Sequence, residues 1–266
     1  MTEFPEKYGP WAVVAGASVG IGAEFCRQIA AEGVHVVLVS RSADKLEALA
    51  SELTSTHGVE TRVAAIDLAE PGAEADVFAA TSGLDVGLVV FNAGADSLNT
   101  WFLDAPAEEW HAMVRRNCVL PLLASHYYGS AMVARGRGGI LLVTSGAAWA
   151  GGGRITTYGG TKAFDLVFGE GLWAELRRDG VDVLSLVVGA TDTPALRASL
   201  AKFGATIDTV ADPADVAREG LVHLGEGPTW QVGVPDGAGP SLLGALSRRQ
   251  AVELITQGHD ALFGDA

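Results

Sequence analysis

Cross-linking chemistry is nearly missing from this chain. Its 266 residues include two cysteines, Cys26 and Cys118, too few for a disulfide framework or a complete metal site. Both fall within predicted helices and read as core thiols, and no metal is expected. Prolines are also few, 10 against 34 glycines. With 48% hydrophobic and 19% charged residues, this composition describes a compact globular chain rather than a disordered one. Long apolar runs are absent: VVLV, LVV and ILLV fall far short of the roughly 20 residues that cross a membrane. The opening MTEFPEKYGPW lacks a charged segment followed by an apolar stretch, so a soluble, cytoplasmic protein is expected. Positive charge is the remaining deficit, with 18 Lys and Arg against 32 Asp and Glu, a net charge of −14. That balance opposes binding to nucleic acid or to an anionic membrane, both of which need a positive field. Any anionic ligand must be held by local donors.

What the chain does have is alternation. Valine- and leucine-rich runs at about 11–15, 34–40, 60–66, 85–91, 139–145, 181–188 and 229–234 alternate with helical patterns. This predicts a single α/β domain over residues 1–266, a doubly wound parallel sheet of about seven strands covered by helices on both faces. GIGAEFCRQIAAEG reads as a helix ended by Gly33, and SADKLEALASELTSTHG as one begun by Ser42 and ended by Gly58. Longer helices are predicted over about 106–134 and 157–178, and another starts at Asp212 as N-cap with Pro213 at its first position. A C-terminal helical extension over about 241–258 follows, with Ser247 and Gln250 spaced for a capping box.

Three constellations carry chemistry. AVVAGASVGIGAEF puts a glycine-rich turn, Gly16, Gly20 and Gly22, between a strand and a helix, where backbone N–H groups and the helix dipole face an anion. Its GxxxGxG spacing differs from the common GxGxxG dinucleotide fingerprint. Tyr158 and Lys162 stand four residues apart in ITTYGGTKAFDLV, on one helix face with Cβ atoms about 5–6 Å apart. A cation beside a phenol favours the phenolate and suits proton exchange. Thirteen residues earlier stands Ser145. Alone, a Tyr and Lys at this spacing describe many solvated helix faces.

Together with Asp67 after the third strand, Asn92-Ala93-Gly94 after the fourth and Asn117 in the following helix, these pieces occur in order, most of them at strand ends. Over about Trp11 to Thr193 the chain thus resembles the short-chain dehydrogenase/reductase family in its compact single-domain, Rossmann-type form. The resemblance implies an NAD(P)-dependent oxidoreductase acting on a small-molecule carbonyl or secondary alcohol. Asn117, Ser145, Tyr158 and Lys162 would be its catalytic residues. The nicotinamide dinucleotide would be held by Gly16, Ser18, Gly20, Ile21, Gly22, Arg41, Asp67, Leu68, Asn92, Ala93 and Gly94, then by Tyr158, Lys162, Gly189, Thr191 and Thr193. Tyr158 would exchange the substrate proton, Ser145 would hold the carbonyl oxygen, and Lys162 would bond the nicotinamide ribose and tune the phenol. Asp67 would meet the adenine edge, although a strand-end N-cap reads the same. Asn117 would support a proton path to the lysine, and a core asparagine bonded to helix backbone would look alike. A homodimer or homotetramer through the two long helices is also implied. The same motifs leave room for an epimerase or dehydratase, or for a cofactor-binding regulator or scaffold without turnover.

At the end of VVLVSRS, Ser40 stands where NAD-specific sites place an acid, and Arg41 follows it. Arginine's planar donors match a 2′-phosphate, so NADP(H) is expected over NAD(H), which stays possible. The chain departs from the family pattern at Ala15, Val19, Phe91 and Val188, where polar residues or proline are usual. Trp101, Phe102, Trp149 and Phe203 lie in the substrate loops, where they either favour an apolar substrate or pack the lid. Arg154 would bind an acidic group or face water.

Overall fold

The computed structural model describes residues 3–96, 98–234 and 246–263. Seven strands form one sheet: β1 (Trp11–Ala15), β2 (His35–Ser40), β3 (Thr61–Ala65), β4 (Val86–Phe91), β5 (Gly138–Ser145), β6 (Val181–Val188) and β7 (Thr229–Gln231). All pairings are parallel, in the order β3-β2-β1-β4-β5-β6-β7. β7 stops three residues before the predicted end. Gly233 adopts φ +74° and its N–H donates to the Glu219 carboxylate, so the backbone turns out of the ladder.

The helices are α1 (Glu3–Tyr8), α2 (Gly20–Ala31), α3 (Ala43–His57), α4 (Ala73–Ala80), α5 (Ala107–Val114), α6 (Leu120–Arg135), α7 (Thr156–Leu176), α8 (Pro194–Phe203), α9 (Pro213–Val222) and α10 (Arg248–Phe263). Successive strand residues point to opposite faces, and each face has its own core. Val14, Leu38 and Val90 pack under Phe25 and Ile29 of α2, Leu46 and Leu53 of α3, and Val216 of α9. Val13, Val37, Val89 and Leu142 pack under Val77 of α4 and Tyr128 and Met132 of α6 on the other face. Among the described residues, no helix is long and apolar enough to cross a membrane.

The helix predicted over 106–134 is not continuous. A π-turn, Arg115–Val119, separates α5 from α6, with the Leu120 N–H reaching back five residues to the Arg115 carbonyl. Pro121 cannot donate to the Asn117 carbonyl as an α-helical ladder requires, and the wider turn accommodates that loss. Cys118 lies in this turn and is half-buried rather than a core thiol, whereas Cys26 is fully enclosed. Gly58 ends α3 at φ +70°, and Asp212 caps α9 by accepting from the Ala214 N–H at 2.7 Å. Of the predicted C-terminal extension, 241–245 lie outside the described residues. Its helix, α10, runs five residues past 258 and begins with a reciprocal capping box between Ser247 and Gln250.

Candidate active site

The strand order reverses between β1 and β4, where a crevice opens at the carboxyl ends of the strands. The turn after β1 fills one side of it. Gly16 sits at φ +85°, and a Cβ there would lie 2.7 Å from the Ala93 nitrogen. Gly22 has no such backbone demand, but a Cβ on it would lie 2.0 Å from the Gly16 carbonyl oxygen and 2.6 Å from Asn92 Nδ2. Asn92 Nδ2 donates to that carbonyl at 3.1 Å, and the N–H groups of Asn92 and Ala93 both reach the Ala15 carbonyl. The result is a tight glycine cradle ending at the amino terminus of α2, with Ser18 half-buried and Ile21 buried beside it. Gly20, at φ +58°, faces Thr193, whose Cγ2 would be 3.0 Å from an added Cβ. The loop after β6 therefore closes on the cradle. There Thr191 bridges to Ala211, Gly189 is exposed, and the Thr193 hydroxyl caps α8 by accepting from the Leu196 N–H at 3.2 Å.

At the β2–β3 end, exposed Arg41 lies 3.7 Å from the Asp67 carboxylate. No acid stands at the end of β2, yet the neighbouring strand brings Asp67 to the arginine. Asp67 is not a helix cap; its Oδ1 accepts from the Ala69 N–H at 3.0 Å, a local turn well before α4, and Leu68 is buried beside it. Two further arginines converge here. Arg115 Nε donates to the Ala69 carbonyl at 2.6 Å, and Arg116 Nη2 donates to the Ala95 carbonyl at 3.2 Å. Burial and the positive charge of Arg41 lower the pKa of Arg116. The acidic chain thus gathers cations locally at this end.

At the β5 end, Ser145 Oγ accepts from the Ala147 N–H at 3.2 Å. Tyr158 lies in the first turn of α7, half-buried, and its hydroxyl has no hydrogen-bond partner among the described residues. Asn117 is 1% exposed and donates through Nδ2 to Thr161 Oγ1 at 2.9 Å, bonding a side chain of α7 rather than its own helix backbone. Lys162 is buried, with Nζ donating to the Val143 carbonyl at 2.8 Å and to Asp165 Oδ2 at 3.0 Å. A Cβ on Gly94 would stand 2.9 Å from that ammonium, so glycine is what lets the lysine pass beneath the β4 loop. Asp165 was not singled out from the sequence, although its three-residue step from Lys162 was a readable signal.

Helix α10 packs against the segments after β5 and β6. The Gly153 N–H donates to Thr256 Oγ1 at 2.9 Å, Arg248 Nη1 donates to the Trp149 carbonyl at 2.7 Å, and Phe203 meets Phe263 edge-on at 5.1 Å. Arg154, at φ +63°, does not face water. It is 3% exposed, with Nε 3.2 Å from Asp260 and its guanidinium 4.9 Å from the Trp101 ring.

Asp96, just past the Asn92-Ala93-Gly94 turn, is a half-buried acid. Burial raises its pKa, opposed by the N–H groups of Leu98 and Asn99 at 2.8 and 3.3 Å, and its Oδ2 is unpartnered. A raised folded pKa contributes stability that is present below the unfolded value of about 3.9 and lost as pH rises through the folded one. Asp96→Asn keeps an acceptor for both N–H groups and removes the charge. Its melting temperature is expected to gain on wild type as pH rises from about 4 to 8, reaching an advantage of about 2–4 °C for each kcal/mol recovered. Thermal unfolding at the two ends of that range checks this; a variant that loses ground with rising pH would contradict it.

The glycine cradle, which any Cβ would fill, and the backbone donors at the start of α2 fit a dinucleotide phosphate, and the β5–α7 side fits a reacting carbonyl or alcohol. Fold and site together define a nicotinamide-dependent oxidoreductase acting on CH–OH groups. The short chain dehydrogenase family model matches residues 10–202, and the chain belongs to that family. It is 40% identical over 224 residues to a 7beta-hydroxysteroid dehydrogenase of Collinsella aerofaciens, covering 83% of this chain and 85% of that one. A solved structure concerning 7beta-hydroxysteroid dehydrogenase stereoselectivity aligns with TM-score 0.87 and 33% identity over 95% and 98% of the two chains. A Sphingobium yanoikuyae short-chain dehydrogenase in complex with NADPH aligns with TM-score 0.75 and 25% identity over 97% and 96%.

Proposed function

We propose that this protein is an NADP(H)-dependent reductase of bulky, apolar cyclic ketones, of the hydroxysteroid class, working reversibly on the matching secondary alcohols. The observation that carries the reading is the packing of α7, with half-buried Tyr158 and buried Lys162, against β5, which ends in Ser145, beside the glycine cradle. The likeness to 7beta-hydroxysteroid dehydrogenases over most of both chains supports the substrate class. Gly16, Ser18, Gly20, Ile21 and Gly22 hold the pyrophosphate side in this reading. Asp67 and Leu68 would line the adenine side, Asn92, Ala93 and Gly94 the cleft between, and Gly189, Thr191 and Thr193 the nicotinamide side. The bound nicotinamide supplies or accepts the hydride. Ser145 Oγ holds the carbonyl oxygen, Tyr158 gives its proton to the alkoxide or takes one back, and Lys162 holds its charge beneath them while Asn117 fixes Thr161 in the same turn. Exposed Leu122, Leu123, Tyr127 and Val167 on α6 and α7 support assembly with further copies of this one-domain chain.

Arg41 carries the NADP(H) preference, leaving Asp67 for the 2′-phosphate. Wild type is expected to bind NADPH more tightly than NADH. Arg41→Ala should lose about 1.5–3 kcal/mol of that preference, roughly ten- to a hundredfold, with NADH affinity little changed. Fluorescence titration of both nucleotides checks this, and an unaltered ratio removes Arg41 from the role. For the substrate class, a panel of hydroxysteroids, their ketones and small acyclic ketones followed by NADPH absorbance decides. Turnover confined to small ketones would overturn the bulky-substrate reading.

A further inference from the structure

Asp165 is the costliest residue in α7 that the proposed chemistry leaves unused. It follows Lys162 by three residues on the same helix face, and both side chains are 4% exposed. Oδ2 accepts from Lys162 Nζ at 3.0 Å, while Oδ1 is buried without a partner. Burial raises the pKa of this carboxyl, and the charge of Lys162 opposes the rise. A buried ion pair is often no more stabilising than apolar side chains of the same volume, so packing alone gives no reason for a carboxylate here.

The surroundings hold the pair in place. Ser185 Oγ of β6 donates toward the carbonyls of Asp165 and Leu166 at 3.2 and 3.3 Å, pinning this turn of α7 to the sheet. Val143 of β5 holds the ammonium from the other side. An ammonium has three donors, and with two engaged by Val143 and Asp165, one remains for a further acceptor. Cys118, of the π-turn, also feels both charges, but burial pushes its thiol up to about 12, so it stays neutral through the working range. From that same turn Arg116 bonds Asn117 Oδ1 at 3.1 Å. The Thr144 hydroxyl of β5 and the Ser185 hydroxyl of β6 bond the backbone of this stretch of α7, β7 brings no charge, and Glu108, Glu109 and His111 of α5 are exposed.

We propose that Asp165 is a positioning residue for Lys162, fixing the ammonium and cancelling much of its field at Tyr158, so that proton donation in reduction persists to higher pH than beside an uncompensated lysine. The inference rests on the assignment of Tyr158 as the proton donor. Asp165 does not touch substrate or cofactor. It acts through the lysine.

A difference titration of near-ultraviolet phenolate absorbance, wild type against Tyr158→Phe, isolates Tyr158 without needing turnover. In an Asp165→Asn background the same difference is expected about one pH unit lower, a tenfold change in phenolate fraction at fixed pH. The alkaline limb of kcat/KM for ketone reduction should move down with it. Asp165→Leu should act the same way. With Lys162→Met present, Asp165 becomes a buried acid without a cation and takes up a proton, so asparagine changes no charge and the shift should vanish. An unmoved titration in folded Asp165→Asn and Asp165→Leu overturns the proposal. So does a shift that survives Lys162→Met, or failure of both variants to fold, which would make Asp165 a core residue only. A full shift in a protein that reduces no carbonyl supports the charge coupling while overturning the reaction assigned to the site.

Discussion

Tyr158→Phe is expected to lower turnover by about 10²–10⁴-fold while leaving NADPH affinity and melting temperature near those of wild type. The separation follows from where the hydroxyl sits. It ends a half-buried side chain in the first turn of α7 and holds no other described residue in place, so its removal breaks no internal hydrogen bond. The ring stays, and with it the packing. What disappears is the proton delivered to the carbonyl oxygen, so the loss should appear in kcat rather than in ground-state binding. Steady-state kinetics beside nucleotide titration measures both, and full turnover in the variant would remove Tyr158 from the chemistry.

Gly22→Ala should do the opposite, damaging binding before chemistry. Its Cβ would meet the Gly16 carbonyl oxygen at 2.0 Å and Asn92 Nδ2 at 2.6 Å, and the first of these is backbone that cannot rotate away. The cradle must open, and overpacking of this kind costs about 1–3 kcal/mol, occasionally more. NADPH affinity is expected to fall about ten- to a hundredfold, with a lower melting temperature. Gly33→Ala is the control. Gly33, unlike Gly22, carries a positive φ, +83°, but has nothing within 4 Å of an added Cβ, so its variant should lose stability and no affinity. Equal affinity losses in the two variants would show that general destabilisation, rather than close packing in the cradle, lowers the affinity.

The sheet was legible because buried parallel strands are short apolar runs, and each run in this chain is punctuated by a glycine or a helix cap. Six strands fall within a residue of their expected limits, and the seventh was overextended because a glycine's φ is invisible in apolar patterning. The π-turn was hidden for a related reason. Pro121 removes a single donor, and whether a helix kinks, ends or widens there depends on what Asn117 bonds across the groove. The proposed reacting residues were read from local spacing and order. Their partners were missed where they come from elsewhere: Asp67 reaches Arg41 only because β2 and β3 are neighbours, and Asp260 reaches Arg154 across 106 positions of sequence. Asp165 is the exception, local yet overlooked, because an acid three residues from a lysine normally describes a solvated helix face. Only the burial of α7 gives that pair its weight.

The strand order has a practical corollary for redesign. Arg41 follows β2 and Ser145 ends β5, with β1 and β4 between them, so the proposed seats of nucleotide choice and carbonyl chemistry stand about 14 Å apart at roughly 4.8 Å per strand. Substitutions at that separation that touch no common side chain combine nearly additively. Nucleotide preference and substrate range can therefore be evolved in separate libraries and merged afterwards, with the glycine cradle between them left untouched.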